Sequence, residues 1–405
     1  EKFWEPISKY VNHFKIRSSY GLVGSDAFAS GAPHFLYQNN IGIGKADNYW
    51  TGLPTSETAK QGPAFWVLAV QNAGWEHVKK FDIGVDLSLF NQVNITFDYF
   101  HDVRNRILMA RASWPVMLGY WGSKPWSNIG EVVNQGFELS VNWTKQFGKD
   151  LMVDFRGNFT YNQNEHKYVD EPNYPYVWQT DTGKPLNTYK GYIAEGLFAS
   201  EEEIANSPDQ SQLGANIMPG DIKYRDINGD GKITTEDQVM ISSYDWKPRI
   251  QYGFGLNVVY KNFDLGVFFS GSAKRKIMLN SGMAPFLSGG GDGEEGETLE
   301  RNLMDWIAND HWSVDNPNPN AAYPRLGISK TDINNNIQSS TYWLRNGNFL
   351  RFKTLEIGYR LPYCRIYLSG DNLAVFSPFK LWDPELAWNV YPFSRTFNLG
   401  AQFTF

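Results

Sequence analysis

The chain has 405 residues, 42% hydrophobic and 20% charged, with a formal net charge of −6, a length that supports a large core or about two or three ordinary domains. Mild acidity without a basic stripe excludes nucleic acid as a partner, and the lone cysteine, Cys364, excludes internal disulfides and Cys-based zinc or iron–sulfur sites. No apolar run approaches the ~20 residues of a membrane-spanning helix, and EKFWEPISKY at the start lacks the basic and apolar regions of a signal peptide; a membrane β-barrel, whose strands are only half apolar, stays open.

The 27 Phe, 22 Tyr and 15 Trp, with 37 Gly, favour an all-β chain with many turns. Ten strands are expected, at about 14–23, 75–89, 93–108, 131–146, 150–164, 248–260, 263–275, 345–361, 364–373 and 395–405. In the second, FDIGVDLSLF puts Phe81, Ile83, Val85, Leu87 and Leu89 on one face. Period two continues in VNITFDYF (Val93, Ile95, Phe97, Tyr99), FELSVNW (Phe137, Leu139, Val141, Trp143) and LMVDFRGNFTY (Leu151, Val153, Phe155, Phe159, Tyr161). It returns in YGFGLNVVY (Tyr252 to Tyr260), FDLGVFF (Phe263 to Phe269) and the closing RTFNLGAQFTF, where Phe397, Leu399, Ala401, Phe403 and Phe405 share a face.

Short turns at 90–92, 147–149, 261–262 and 362–363 alternate with long excursions near 24–74, 109–130, 165–247, 276–344 and 374–394. Taken in order, ten strands place every short turn at one end and every long loop at the other. Outer-membrane barrels have that asymmetry, with short periplasmic turns and long extracellular loops, and aromatic girdles at the strand ends. A soluble sandwich or propeller also alternates, but with strands averaging about 5–6 residues or blades of fixed period. The expected fold is therefore all-β: an antiparallel transmembrane β-barrel with long extracellular loops.

The segments FKIRSSYGLVG, FDIGVDLSLFNQVNITFDYF, NIGEVVNQGFELSVNW, PGDIKYRDINGDGKIT, YGFGLNVVYKNFDLGVFFSGS, YWLRNGNFLRFKTLEIGYRLP and LSGDNLAVF with WDPE resemble, in order and spacing, the barrel of SusC-like TonB-dependent transporters. The resemblance implies that residues 1–405 are the C-terminal part of a barrel of about 22 strands, with an N-terminal plug not present in this chain. It also implies import of oligosaccharides or peptides across the outer membrane of a Gram-negative cell. The implied partners are a SusD-like surface lipoprotein and the TonB complex, the latter reached through the absent N-terminal part. Phe405 would then be the terminal aromatic of a barrel-assembly signal. The competing reading is a non-transporting carbohydrate-binding or adhesion β-protein.

Within the 165–247 excursion, DINGDGKITTED at 226–237 matches a calcium loop. Asp226, Asn228 and Asp230 fall at positions 1, 3 and 5, Gly231 permits the turn at 6, Lys232 offers its carbonyl at 7, and Asp237 supplies the carboxylate at 12. Asp in place of Glu at position 12 weakens discrimination against magnesium, so the expected cofactor is calcium, with magnesium as the alternative. The metal-free reading is an Asn-Gly turn. With no flanking helix pair and no second copy, the expectation is a static staple for a loop with little core of its own.

Trp121 and Trp126, in SWPVMLGYWGSKPW, and Trp306 and Trp312, in DWIANDHW, are candidate substrate-binding rings; the bland alternative is that they pack the loops together. No enzyme is expected. The six histidines are dispersed, a P-loop and a G-x-S-x-G elbow are both missing, and the acidic pair Asp383 and Glu385 is of a kind any β-rich chain offers.

Overall fold

The computed structural model describes residues 6–26, 32, 34–42, 49–51, 58–60, 64–70, 73–115, 117, 124–279, 305–327, 332–386 and 391–404. Ten strands form one antiparallel sheet whose neighbours follow chain order. They are β1 (Val11–Ser25), β2 (Glu76–Leu89), β3 (Val93–Ala110), β4 (Trp126–Phe147), β5 (Leu151–Tyr168), β6 (Ile250–Tyr260), β7 (Phe263–Ala273), β8 (Phe349–Arg360), β9 (Cys364–Phe376) and β10 (Thr396–Phe403). Nine of the ten span at least the ~9–11 residues that a tilted strand needs to cross a bilayer, the shortest being the 8 described residues of β10. Among the described residues β1 and β10 each pair on one side only, so the sheet is open here.

Register carries the period-two pattern from strand to strand. Ile83 opposes Tyr99, Val85 opposes Phe97 and Leu87 opposes Ile95; Phe97 in turn opposes Leu139, and Leu139 opposes Phe159. One face is thus apolar across the sheet. Its rings form cross-strand ladders: Phe97, Phe137 and Phe159 stack at 6.0 and 5.6 Å, and Phe254, Phe269 and Phe352 at 5.2 and 4.7 Å. Such pairs contribute roughly 0.2–1 kcal/mol each.

What covers this apolar face decides the fold class. Ile16, Leu22, Phe263, Ile366, Leu368 and Phe403 are all exposed on it. A sandwich would bury them against a second sheet, whereas a barrel turns them to lipid.

Several boundaries differ from the sequence reading by three to five residues: β1 begins at Val11 rather than 14, β5 runs on to Tyr168 rather than 164 and β9 to Phe376 rather than 373, and two starts have a clear cause. β4 starts at Trp126 rather than 131, because the residues from Trp126 on already pair with Ala110 and its neighbours. β8 starts at Phe349 rather than 345, because Leu344–Asn346 forms a separate ladder with Lys276–Met278.

Most of the buried core lies outside the sheet, in the long connections. Tyr192, Leu197, Ile222, Tyr224 and Ile233 from 169–249 pack with Ile277, Leu279, Ile307, Trp312, Ile333 and Trp343 from 274–348, and with Phe379 beyond β9. The expectation that the 165–247 loop has little core is corrected here: Ile222 and Ile233 are fully buried. A polar network pins the two connections together. Asp221 meets Arg325 at 2.6 Å, with both side chains at most 9% exposed, and Asn336 donates to Asp221 at 2.7 Å. Burial pushes the Asp221 carboxyl above the usual carboxylate range, against the pull of the Met218 amide and of Arg325.

The face assignment has a direct test. Val141 lies on the apolar face between Ile95 and Gly157, and Thr144, three residues on, donates to Asp154 on the polar face at 3.0 Å. Val141→Arg is expected to cost about 2–4 kcal/mol if it sits near the bilayer midplane and to deplete heat-modifiable folded barrel from the outer membrane. Thr144→Arg should leave that amount near wild type; equal losses would reverse the assignment.

Candidate functional site

The polar face is interior in a barrel, and here it is built from Ser, Thr, Asn, Gly and charged residues in register. One row runs Thr96, Ser140, Asn158, Gly253, Ser270; the next runs Asn94, Asn142, Arg156, Gly255, Phe268, Thr354. Two clusters of charge on it are compensated across strands. Arg17 on β1 binds Asp86 on β2 and reaches Asp98 on β3, both at 2.9 Å. Gly84, opposite Arg17 and Asp98 in register, leaves the space the guanidinium crosses; a Cβ there would lie 2.8 Å from the Arg17 Nη2. Arg365 on β9 repeats the device over Gly358, holding Asp264 of β7 and Glu356 of β8, the latter at 2.5 Å.

Toward the long-loop end the polar face opens into a cleft of ≈ 450 Å³. Asn158, Thr160, Gln251 and Ser270 line its wall, and Trp246 and Glu385 stand above them. The Trp-Asp-Pro-Glu segment is tied down beside it. Asp383 and Glu385 bind Arg351 at 2.5 and 3.0 Å, and Arg351 is 3% exposed. The pair is therefore a clamp on β8, each carboxylate placing one oxygen on the guanidinium.

The 226–237 loop folds as its residue types demand. Asp226 accepts from the amides of Gly229 at 2.6 Å and Gly231 at 2.8 Å; both glycines have positive φ, 77° and 80°. Asp230 accepts from Lys232, and Asn228 from Asp230. Asp237, fully buried, takes the amides of Ile227 and Thr234, both at 2.8 Å, and closes the loop end to end. Backbone bonds between Asp209 and the pair Gly231 and Ile233 dock it on the neighbouring chain. Among the described residues no three His, Cys, Asp or Glu side chains converge as a metal cluster. Asn228 and the Lys232 carbonyl are the remaining oxygens of the expected calcium or magnesium loop.

The four tryptophans part company. Trp121, like Phe405, lies outside the described residues. Trp126 is the first residue of β4, half-buried, not a loop residue. Trp312 is corrected from ligand ring to core: it is 7% exposed within the loop cluster, so neither ring face is free to stack on a solute. Trp306, on the short helix Asp305–Ala308, is 40% exposed and borders a cleft of ≈ 300 Å³ with Tyr323, Arg345 and Lys380.

Sequence reasoning missed Arg351 and Phe268. For Phe268 the available signal was Gly253 and Gly255 inside a strand, since an interior strand glycine marks the close approach of another group.

No family model matches the sequence. TonB-dependent receptor P3 of Formosa agariphila is 26% identical over 438 residues, which cover 98% of this chain and 40% of that one. TonB-dependent receptor SusC of Bacteroides thetaiotaomicron is 24% identical over 436 residues, covering 100% and 39%. Among solved structures, the RagAB peptide transporter superposes with a TM-score of 0.65 at 22% identity, covering 98% of this chain and 41% of that one. The RagAB peptide importer in its closed-closed state gives 0.66 at 20%, covering 100% and 42%. The chain spans about two-fifths of the length of these curated relatives. With the uncovered apolar face and the polar one behind it, these likenesses make the chain similar, over nearly its whole length, to a stretch of the outer-membrane β-barrel of SusC-like TonB-dependent receptors.

Proposed function

We propose that the chain forms part of the wall and the outer rim of an importer that carries oligosaccharide or peptide fragments across the outer membrane, energised through TonB. The observation that carries this reading is the two-faced sheet: an uncovered apolar face backs a polar face with a cleft at its long-loop end. Lipid suits the first face and a hydrated solute the second. Peptide is favoured by the likeness to a structure described as a peptide importer. No enzymatic step is assigned to these residues.

At the rim, a SusD-like surface lipoprotein is the proposed partner. The connections 169–249 and 274–348 share one core, so they offer a partner a preformed surface and reduce the ordering cost of association. Purification of the full receptor from its native membrane in mild detergent should bring a stoichiometric lipoprotein with it. A lone barrel that still binds solute would count against the lid. The rival adhesion reading predicts instead a protein that stays soluble once detergent is withdrawn.

The 226–237 loop is proposed as a divalent-cation site, with Asp226, Asn228, Asp230, Asp237 and the Lys232 carbonyl as ligands. When bound, the ion would neutralise the three carboxylates, while the Asp237 amide bonds hold the loop closed. Calcium should slow amide exchange across 226–237, a chelator should reverse this, and Asp226→Ala should abolish the response. Exchange that ignores both calcium and chelator would leave a loop closed by its own amides alone.

A further inference from the structure

The polar face uses one construction three times, and the third differs in its far partner. Arg17 reaches past Gly84 to Asp98, and Arg365 passes Gly358 to Asp264. Arg156 on β5 likewise reaches past Gly255 on β6, but to Phe268 on β7. Its guanidinium carbon lies 5.2 Å from the centre of the Phe268 ring. Glycine is needed at 255 for this contact: a Cβ there would lie 2.9 Å from the ring and 3.3 Å from the Arg156 Nε.

A ring holds a guanidinium in place without cancelling its charge. Arg156 is exposed, and among the described residues it has no carboxylate at ion-pair distance. Of the acids nearby, Asp264 and Glu356 hold Arg365 and Asp154 accepts from Thr144, while Asp371 lines a further cleft with Arg156 without an ion pair to it. Amide and hydroxyl donors stand beside it, since Ser140, Asn142 and Asn158 line a cleft of ≈ 350 Å³ with Arg156 and Phe268. Phe268 also borders the ≈ 450 Å³ cleft under Trp246, where Lys353 adds a second exposed cation. The platform therefore stands at the junction of the clefts along the polar face.

We propose that Arg156, laid on Phe268, is an anion-selecting subsite of the interior wall that takes a carboxylate of the passing solute. The inference rests on the import reading above, because only a solute inside the barrel meets this face. The planar guanidinium offers paired N–H donors to a carboxylate, and Asn142 and Asn158 flank it. Phe268 fixes the guanidinium, so less side-chain freedom is lost when the anion arrives. The carboxylate could be borne by a peptide or by a uronate sugar, and the two sources are separable.

The experiment uses the full receptor with its native partners. Two pools are offered, acidic oligopeptides and oligogalacturonates, each beside its neutral methyl ester. In one arm the free acids should bind about tenfold more tightly than their esters, the scale of one charge-assisted hydrogen bond. Arg156→Gln should abolish that preference by weakening the acids more than the esters, and Arg156→Lys should retain part of it. Phe268→Leu should reduce the preference without removing it. Heat-modifiable mobility checks that each variant has assembled. An acid preference that survives Arg156→Gln, or acid and ester bound alike in both arms, overturns the subsite. If wild type neither binds nor takes up any pool, the subsite falls, and the import reading falls with it only if solutes of other chemistry are also refused.

Discussion

A strand inside a bilayer finds no water for its backbone N–H and C=O groups, so each must be paired by another strand. That constraint organises this chain. It requires long ladders in unbroken register, and β3 to β5 supply them, with Phe97, Leu139 and Phe159 aligned across three strands. It also forces two kinds of surface onto one sheet, because alternation places every second side chain toward lipid. The described sheet still ends in two edges, β1 and β10. An edge left open in lipid is costly, and the chain spans about two-fifths of its relatives' length.

A second consequence concerns where the core can be. A barrel wall is one layer thick, so apolar side chains on it cannot meet another protein layer, and most of the buried core moves to the connections. There Ile222, Ile233, Ile333 and Trp343 are sealed from water. The polar groups around Ile222 enter that core as an interlocking set. Gln210 donates to Asn335 and to the Ile222 carbonyl, while Asn336 serves the Ile222 amide and Asp221. Removing one member would leave buried donors or acceptors unpaired, a loss of roughly 1–3 kcal/mol per group.

The sheet was legible in the sequence because alternation is a local property. Phe81 to Leu89 and Phe397 to Phe403 announce their faces without any knowledge of their neighbours. The 226–237 loop was equally legible, since Asp226, Gly231 and Asp237 act on backbone amides within the same twelve residues. The rest depends on contacts far apart in the chain. Nothing local distinguishes Trp312, sealed in the loop core, from Trp306 at the edge of a cleft. Arg325 meets Asp221 across 104 residues and Arg365 meets Asp264 across 101. Such partners are fixed by topology, which alternation does not encode.

The same reasoning bears on what orders the rim. Asp237 joins both ends of its loop through amide bonds, and the Ile233 side chain beside it is anchored in the shared core. The loop's position is thus set by apolar burial over several connections, while its internal turn is set by carboxylate–amide bonds. A cation held by Asp226, Asn228, Asp230, Asp237 and the Lys232 carbonyl would act within the loop itself. Its effect belongs to the local stiffness of 226–237 and not to the placement of the connection as a whole. Rim shape and ion binding are separable for that reason: one depends on buried area held in common, the other on a few oxygens within twelve residues.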